Sequence, residues 1–330
     1  MCTSLTYQTN DQHHFLARTM DFAFLFKPEV LVYPKNYGFR LYLTDDILTV
    51  KYAFMGFGQR FEDSYDGFAD GVNEKGLSCA ALYFPGYAHY SNQTIEEKKN
   101  IAPYELVPYI LSQCDNIDSV IALMKNTNLV SEPFKKMDFL PPLHFIISDQ
   151  FGRCIVIEPR ESGLEILENS IGIMTNSPPF DWHMTNINNF IGIHPTQNEG
   201  LNLSGVTFKP FSQGFGTIGL PGDFTSPSRF VKTVFSKFSS TPCNLYTDGM
   251  STIFHILDGV SLIKGSVVTE EQDLEFTQYT ACYDLTTQTL YYKTYSNSQI
   301  NAVSLSPENV NSTSVSAYPV SMEQSVLFQN

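Results

Sequence analysis

The sequence predicts an α+β fold, and three observations point there. β-favouring runs come in neighbouring pairs joined by short polar turns, residues 3–7 with 15–17 and residues 143–148 with 154–158. Helical stripes with spacings of three and four stand apart from them, at residues 106–111, 120–124 and 230–238. Strands and helices do not alternate in the way a parallel βαβ sheet requires.

At 330 residues with no internal repeat or linker, the chain reads as a single domain, 1–330, long enough to bury a sizeable core. Its 42% hydrophobic and 14% aromatic content excludes disorder over most of its length. A formal charge of −14 and the lack of any basic run oppose nucleic-acid binding, which depends on cations neutralising phosphate. The amino-terminal residues do not have the charged and apolar regions of a secretory signal, and no run of about 18 apolar residues is present to span a bilayer. A cytoplasmic protein without membrane attachment is therefore expected. Cys79, Cys114, Cys154, Cys243 and Cys282 are scattered and read as small buried hydrophobes; the seven histidines share no ligand spacing, so neither a metal nor a cofactor is expected.

In chain order, the first element carries the chemistry. Removal of Met1 would make Cys2 the amino terminus, placing a thiol and a free α-amine on one residue. An α-amine has a pKa of roughly 7.7–8.0, so near neutrality it can take the thiol's proton. The β-favouring run 3–7 ties that end into a sheet. The polar turn 9–14 returns the chain through residues 15–17 and delivers Arg18, Thr19, Met20 and Asp21 to the terminus. Arg18 can stabilise a thiolate and Asp21 can orient the amine; a plain surface ion pair is the alternative.

Residues 30–33 and 48–57 read as strands. Residues 56–70 read as a loop whose Phe61 and Tyr65 either line a substrate entrance or are pinned onto the body of the protein. A turn around Asn73 and Gly76 leads into a central strand at 79–84, stopped by Pro85 and Gly86. Pro103 opens a helix and Asn116 caps another. The corner 172–179 is stiffened by Pro178 and Pro179, and there Asn176 is either a turn residue or an amide donor to an oxyanion. Gly214 to Gly219 fits G-x-G-x-x-G but lacks the βαβ setting of a dinucleotide site. Ser226 and Pro227 start the next helix, whose first turn holds Arg229 against the helix dipole. A helix at 249–258, strands at 278–283 and 290–295, and a polar tail from Ser304 with residues 326–328 available for packing complete the chain.

These stretches together resemble the choloylglycine hydrolase family, the penicillin V acylases and conjugated bile salt hydrolases among the N-terminal nucleophile hydrolases. The resemblance rests on MCT at the start, ARTMDF at 17–22, NEKGLSCAALYFPGYA at 73–88, MTNSPPFDWH at 174–183, GTIGLPGDFTSPSRF at 216–230 and TQYT at 277–280. It implies a four-layer αββα sandwich with two mainly antiparallel sheets, and a cofactor-free hydrolase of linear amides. Cys2 matches the nucleophile and amine base, Arg18 and Asp21 its charged neighbours, Asn176 the oxyanion amide, and Arg229 the arginine that completes the site. Tyr83 matches a position whose backbone N–H serves the oxyanion hole, commonly tyrosine in the acylases and asparagine in the bile salt hydrolases. With Met20, Phe24 and Phe61 as an acyl pocket, Tyr83 favours phenoxymethylpenicillin as substrate. Conjugated bile salts are the alternative, followed by N-acyl homoserine lactones. A noncatalytic binding relative and a redox-sensing Cys2 are the readings from other classes. The resemblance also implies a homotetramer.

Overall fold

The computed structural model describes residues 1–61, 65–134 and 139–330, with the side chain of residue 65 outside that description. Fourteen strands are used below: β1 (Cys2–Gln8), β2 (His14–Phe22), β3 (Glu29–Tyr33), β4 (Phe54–Phe61), β5 (Tyr65–Asn73), β6 (Ser78–Tyr83), β7 (Leu143–Ser148), β8 (Cys154–Arg160), β9 (Gly163–Glu168), β10 (Ile173–Met174), β11 (Leu274–Asp284), β12 (Thr289–Thr294), β13 (Asn297–Ser304) and β14 (Ser316–Pro319). They form two sheets, ordered β10-β1-β2-β11-β12-β13 and β9-β8-β7-β6-β5-β4-β3-β14, and every pairing along both is antiparallel. Helices α1 (Leu106–Gln113), α2 (Ile117–Lys125), α3 (Phe180–Asn186), α4 (Ser226–Ser239) and α5 (Tyr246–Asp258) accompany them.

Side-chain alternation builds the layers. In β3, Val30 and Val32 join the core shared with the first sheet, whereas Leu31 and Tyr33 join the core under α1 and α2. In β7, Ile146 faces one way while Phe145 and Ile147 face the other. Phe230 of α4 and Ile253 and Leu257 of α5 pack with Leu5 and Phe15 of the first sheet. The result is the expected αββα sandwich. Both faces of the second sheet are apolar, so its strands read as continuous hydrophobic runs.

Residues 56–70 differ from the expected loop: they form the β4–β5 hairpin, with residues 62–64 outside the described part and the expected place of the Tyr65 side chain likewise outside it. Glycines hide the alternation that marks a strand, and here they are required. Gly56 faces Gly71, and a Cβ at Gly56 would lie 2.0 Å from the Asp70 carbonyl oxygen. The tail differs too. β14 adds to the edge of the second sheet through only four residues, too short a run for a sequence pattern, while Val326, Leu327 and Phe328 are exposed rather than packed. Asn116 caps α2 as expected, its Oδ1 accepting from the Ser119 N–H at 2.9 Å. Among the described residues no helix is long and apolar enough to cross a membrane.

Candidate active site

β1 lies between β10 and β2, so the amino-terminal segment is held inside a sheet. The β1–β2 register pairs Cys2 with Met20 and Ser4 with Arg18. Residues two apart on a strand share a face, so the Arg18 side chain runs beneath β1 toward Cys2, and its Nη2 donates to Cys2 Sγ at 2.9 Å. Its Nη1 donates to Asp70 Oδ2 at 2.8 Å, and its Nε to the Thr19 carbonyl at 3.0 Å. Arg18 and Asp70 are both fully buried. Burial opposes the guanidinium charge, but Cys2, Tyr279 and Asp70 outweigh it and raise the arginine's pKa. Asp70 is itself saturated by Arg18 and by the hydroxyls of Tyr279, at 2.7 Å, and Tyr283.

Asn176 stands on the other side of Cys2. Its Oδ1 accepts from the Cys2 N–H at 2.8 Å and from Arg229 Nη2 at 2.6 Å, and its Nδ2 donates to the Tyr83 carbonyl at 2.7 Å. Arg229 Nη1 donates to the Cys2 carbonyl and to Thr3 Oγ1. The dipole conflict noticed at Arg229 thus belongs to a buried guanidinium joining α4 to β1 and to the Asn176 corner. Burial lowers its pKa, opposed by Asp21 and Cys2.

The Asn176 corner is fixed from three directions by residues that sequence reasoning passed over. The Asn176 N–H donates to Ser226 Oγ at 2.9 Å, His183 Nε2 donates to the Asn176 carbonyl at 2.9 Å, and His144 Nε2 donates to the Thr175 carbonyl at 2.9 Å. Burial pushes His183 down to about 4, so near neutrality it is the uncharged imidazole whose Nε2–H makes this bond. His183 and Ser226 lie inside the conspicuous 174–183 and 216–230 blocks, which was their one available signal.

Asp21 is buried, its carboxylate accepting from Thr19 Oγ1 at 2.9 Å and Thr277 Oγ1 at 2.6 Å. The Met1 ammonium pairs with Glu275 and donates to the Asp21 carbonyl at 2.6 Å. With Met1 in place the Cys2 nitrogen is an amide and carries no base.

Cys2 opens onto a mostly apolar cavity of about 190 Å³ between the sheets. Met20, Tyr83 and Phe61 line it. Phe24 does not: it is half exposed, edge-on to Phe26, and it is Phe22 and Phe26 that face the cavity. Phe24 lies two residues past the end of β2, where the alternation of a strand no longer sets which way a side chain points. Among the described residues no group of three or more His, Cys, Asp or Glu side chains is placed to hold a metal ion.

A family model described as linear amide C–N hydrolases, choloylglycine hydrolase family, matches residues 2–318. The bile salt hydrolase/transferase of Clostridium perfringens is 38% identical over 318 residues, spanning 96% of each protein. The crystal structure of a variant of the conjugated bile acid hydrolase from Clostridium perfringens superposes with a TM-score of 0.94 at 36% identity, covering 100% of both chains. The penicillin V acylase of Pectobacterium atrosepticum is 25% identical over 250 residues, 71% of this chain and 59% of that protein.

Proposed function

The chain belongs to the choloylglycine hydrolase family of linear amide C–N hydrolases, and from that premise we propose that it cleaves the amide of conjugated bile salts with Cys2 as nucleophile. This replaces the expectation of phenoxymethylpenicillin drawn from Tyr83. The similarity is higher and more extensive toward the bile salt enzyme than toward the penicillin V acylase, and a residue expected to act through its backbone carries little information about the acyl group.

The observation that carries the proposal is the contact of Cys2 Sγ with Arg18 Nη2 beside an apolar cavity that Cys2 lines. In the mature enzyme Met1 is absent and the α-amine of Cys2 replaces the amide beside Asn176. The α-amine takes the thiol's proton, and the sulfur, 2.9 Å from Arg18 Nη2, attacks the acyl carbonyl. Asn176 and the Tyr83 N–H receive the oxyanion, and the α-amine, in the field of Asp21, protonates the leaving amine and then activates water. Arg229 holds Asn176 and the Cys2 carbonyl in register. On purified enzyme lacking Met1, glycocholate is expected to turn over faster than phenoxymethylpenicillin in paired initial-rate assays. Faster penicillin turnover would overturn the substrate reading, and no turnover of either would favour a noncatalytic binder.

We also infer one cytoplasmic domain, 1–330, assembled as a homotetramer. An exposed hairpin, Leu201–Leu203 with Val206–Phe208, supports the assembly. It leaves Leu201, Leu203, Val206 and Phe208 more than half exposed, and single chains seldom leave such apolar groups together in water. Light scattering is expected to give four chain masses per particle; a monomeric mass would remove this inference.

A further inference from the structure

We propose that Gln278 is a positioning residue that fixes one wall of the acyl cavity and thereby sets the enzyme's affinity for bulky apolar acyl groups; for steroid acyl groups this rests on the bile salt reading above. Gln278 belongs to the TQYT block, in which Thr277 donates to the Asp21 carboxylate and Tyr279 to that of Asp70. Along β11, Thr277 pairs with Asp21 and Tyr279 with Met20, so Gln278 is the extra residue of a β-bulge. Its carbonyl accepts from the Tyr295 N–H at 2.9 Å, which ties the bulge to the chain beyond β12.

A bulge re-aims a side chain, and this one meets the main chain that leaves β2. Gln278 Nε2 donates to the Phe22 carbonyl at 3.0 Å and to the Phe24 carbonyl at 2.6 Å, and Oε1 accepts from the Phe26 N–H at 3.1 Å. One side chain, only 8% exposed, thus holds three main-chain groups of residues 22–26. The chemistry requires an amide: a carboxylate of the same size would set an oxygen against two carbonyls, and an alkyl group would make none of the three bonds. Residues 23–28 run between β2 and β3 without helix or strand, yet Phe22, Phe26 and Pro28 line the cavity together with Cys2. Phe22 meets the Tyr83 ring edge-on at 5.8 Å and the Phe26 ring at 5.5 Å. An irregular segment that forms a binding wall lowers affinity if it must be ordered by the ligand, and Gln278 orders this one beforehand. A four-ring steroid acyl group meets more of that wall than a four-carbon chain does, so the effect grows with the bulk of the acyl group.

The test uses Gln278→Leu and Gln278→Glu, which remove or invert the hydrogen bonds at similar side-chain length. In both, KM for glycocholate is expected to rise about tenfold while kcat moves by less than about threefold. The kcat/KM for glycocholate relative to N-butanoylglycine, which has the same leaving group, is expected to fall by about the same factor. Hydrogen exchange read by mass spectrometry gives a second measurement: peptides covering 23–28 are expected to exchange slowly in the parent and faster in both variants, with β2 unchanged. An unchanged KM, a fall in kcat shared by both substrates, or fast exchange across 23–28 in the parent would overturn the proposal, the last without any variant having to fold. Should the parent enzyme cleave phenoxymethylpenicillin and not glycocholate, the bile salt reading fails, and the KM comparison on the penicillin, together with the exchange data, then decides for or against Gln278.

Discussion

Cys2→Ser is expected to fold like the parent and to lose amide turnover by about 10³- to 10⁶-fold, the range seen when a catalytic nucleophile is removed. Cys2 is buried at the amino end of β1, and serine is slightly smaller and also uncharged, so the β1–β2 register is unaffected. What changes is the reacting atom. Arg18 Nη2 lies 2.9 Å from the sulfur, a more nucleophilic atom than the hydroxyl oxygen that replaces it, and the hydroxyl depends wholly on a base to remove its proton. Retention of Met1 is expected to silence the enzyme equally, for a different reason. The Cys2 nitrogen is then an amide donating to Asn176 Oδ1, and the ammonium belongs to Met1 and pairs with Glu275. Intact-mass measurement beside initial rates separates the two cases. Parent-like rates from protein that carries Met1 would remove the amine from the mechanism.

The parts of this site that a sequence can disclose are those that depend on short-range order. The hairpin that brings Arg18 to Cys2 is legible because β1, its turn and β2 are contiguous, and period-two alternation sets which residues share a face. The Asn116 cap and the stripes of α1, α2 and α4 are local for the same reason. The assignment of Asn176 and Arg229 came from resemblance to family blocks, because they reach Cys2 across separations of 174 and 227 residues that no spacing rule spans. Phe24 shows the limit of composition: an aromatic near a strand end is expected in the pocket, yet it lies past the last residue of β2 and is half exposed. Asp70 shows the limit of pattern. It ends the 56–70 stretch that reads as a loop, so nothing in the local sequence says that its carboxylate is fully buried between two tyrosines and an arginine.

Asp70→Ala is expected to be the most destabilising single change near the site. Arg18 has no water to turn to, since both it and Asp70 are fully buried. Removing one partner of a buried ion pair leaves a desolvated charge and costs about 3–5 kcal/mol. For a chain of this size that corresponds to a drop in Tm of roughly 10 °C by thermal unfolding. Tyr279 and Tyr283 lose their acceptor in the same change, so the loss falls on both sheets at once. Comparison with a double variant shows whether the pair or merely the space matters. Arg18→Leu with Asp70→Leu removes both charges, and because hydrophobic replacement of a complete buried pair is often neutral, the double variant is expected to be more stable than Asp70→Ala alone. An Asp70→Ala variant as stable as the parent would refute the account of Arg18 as a buried cation held by one carboxylate. Activity should not follow stability back. The double variant regains its fold without the guanidinium at 2.9 Å from Cys2 Sγ, so its turnover is expected to remain low. The ion pair is therefore required less for the fold than for holding a positive charge against the sulfur, and Asp70 keeps that charge tolerable inside an apolar sandwich.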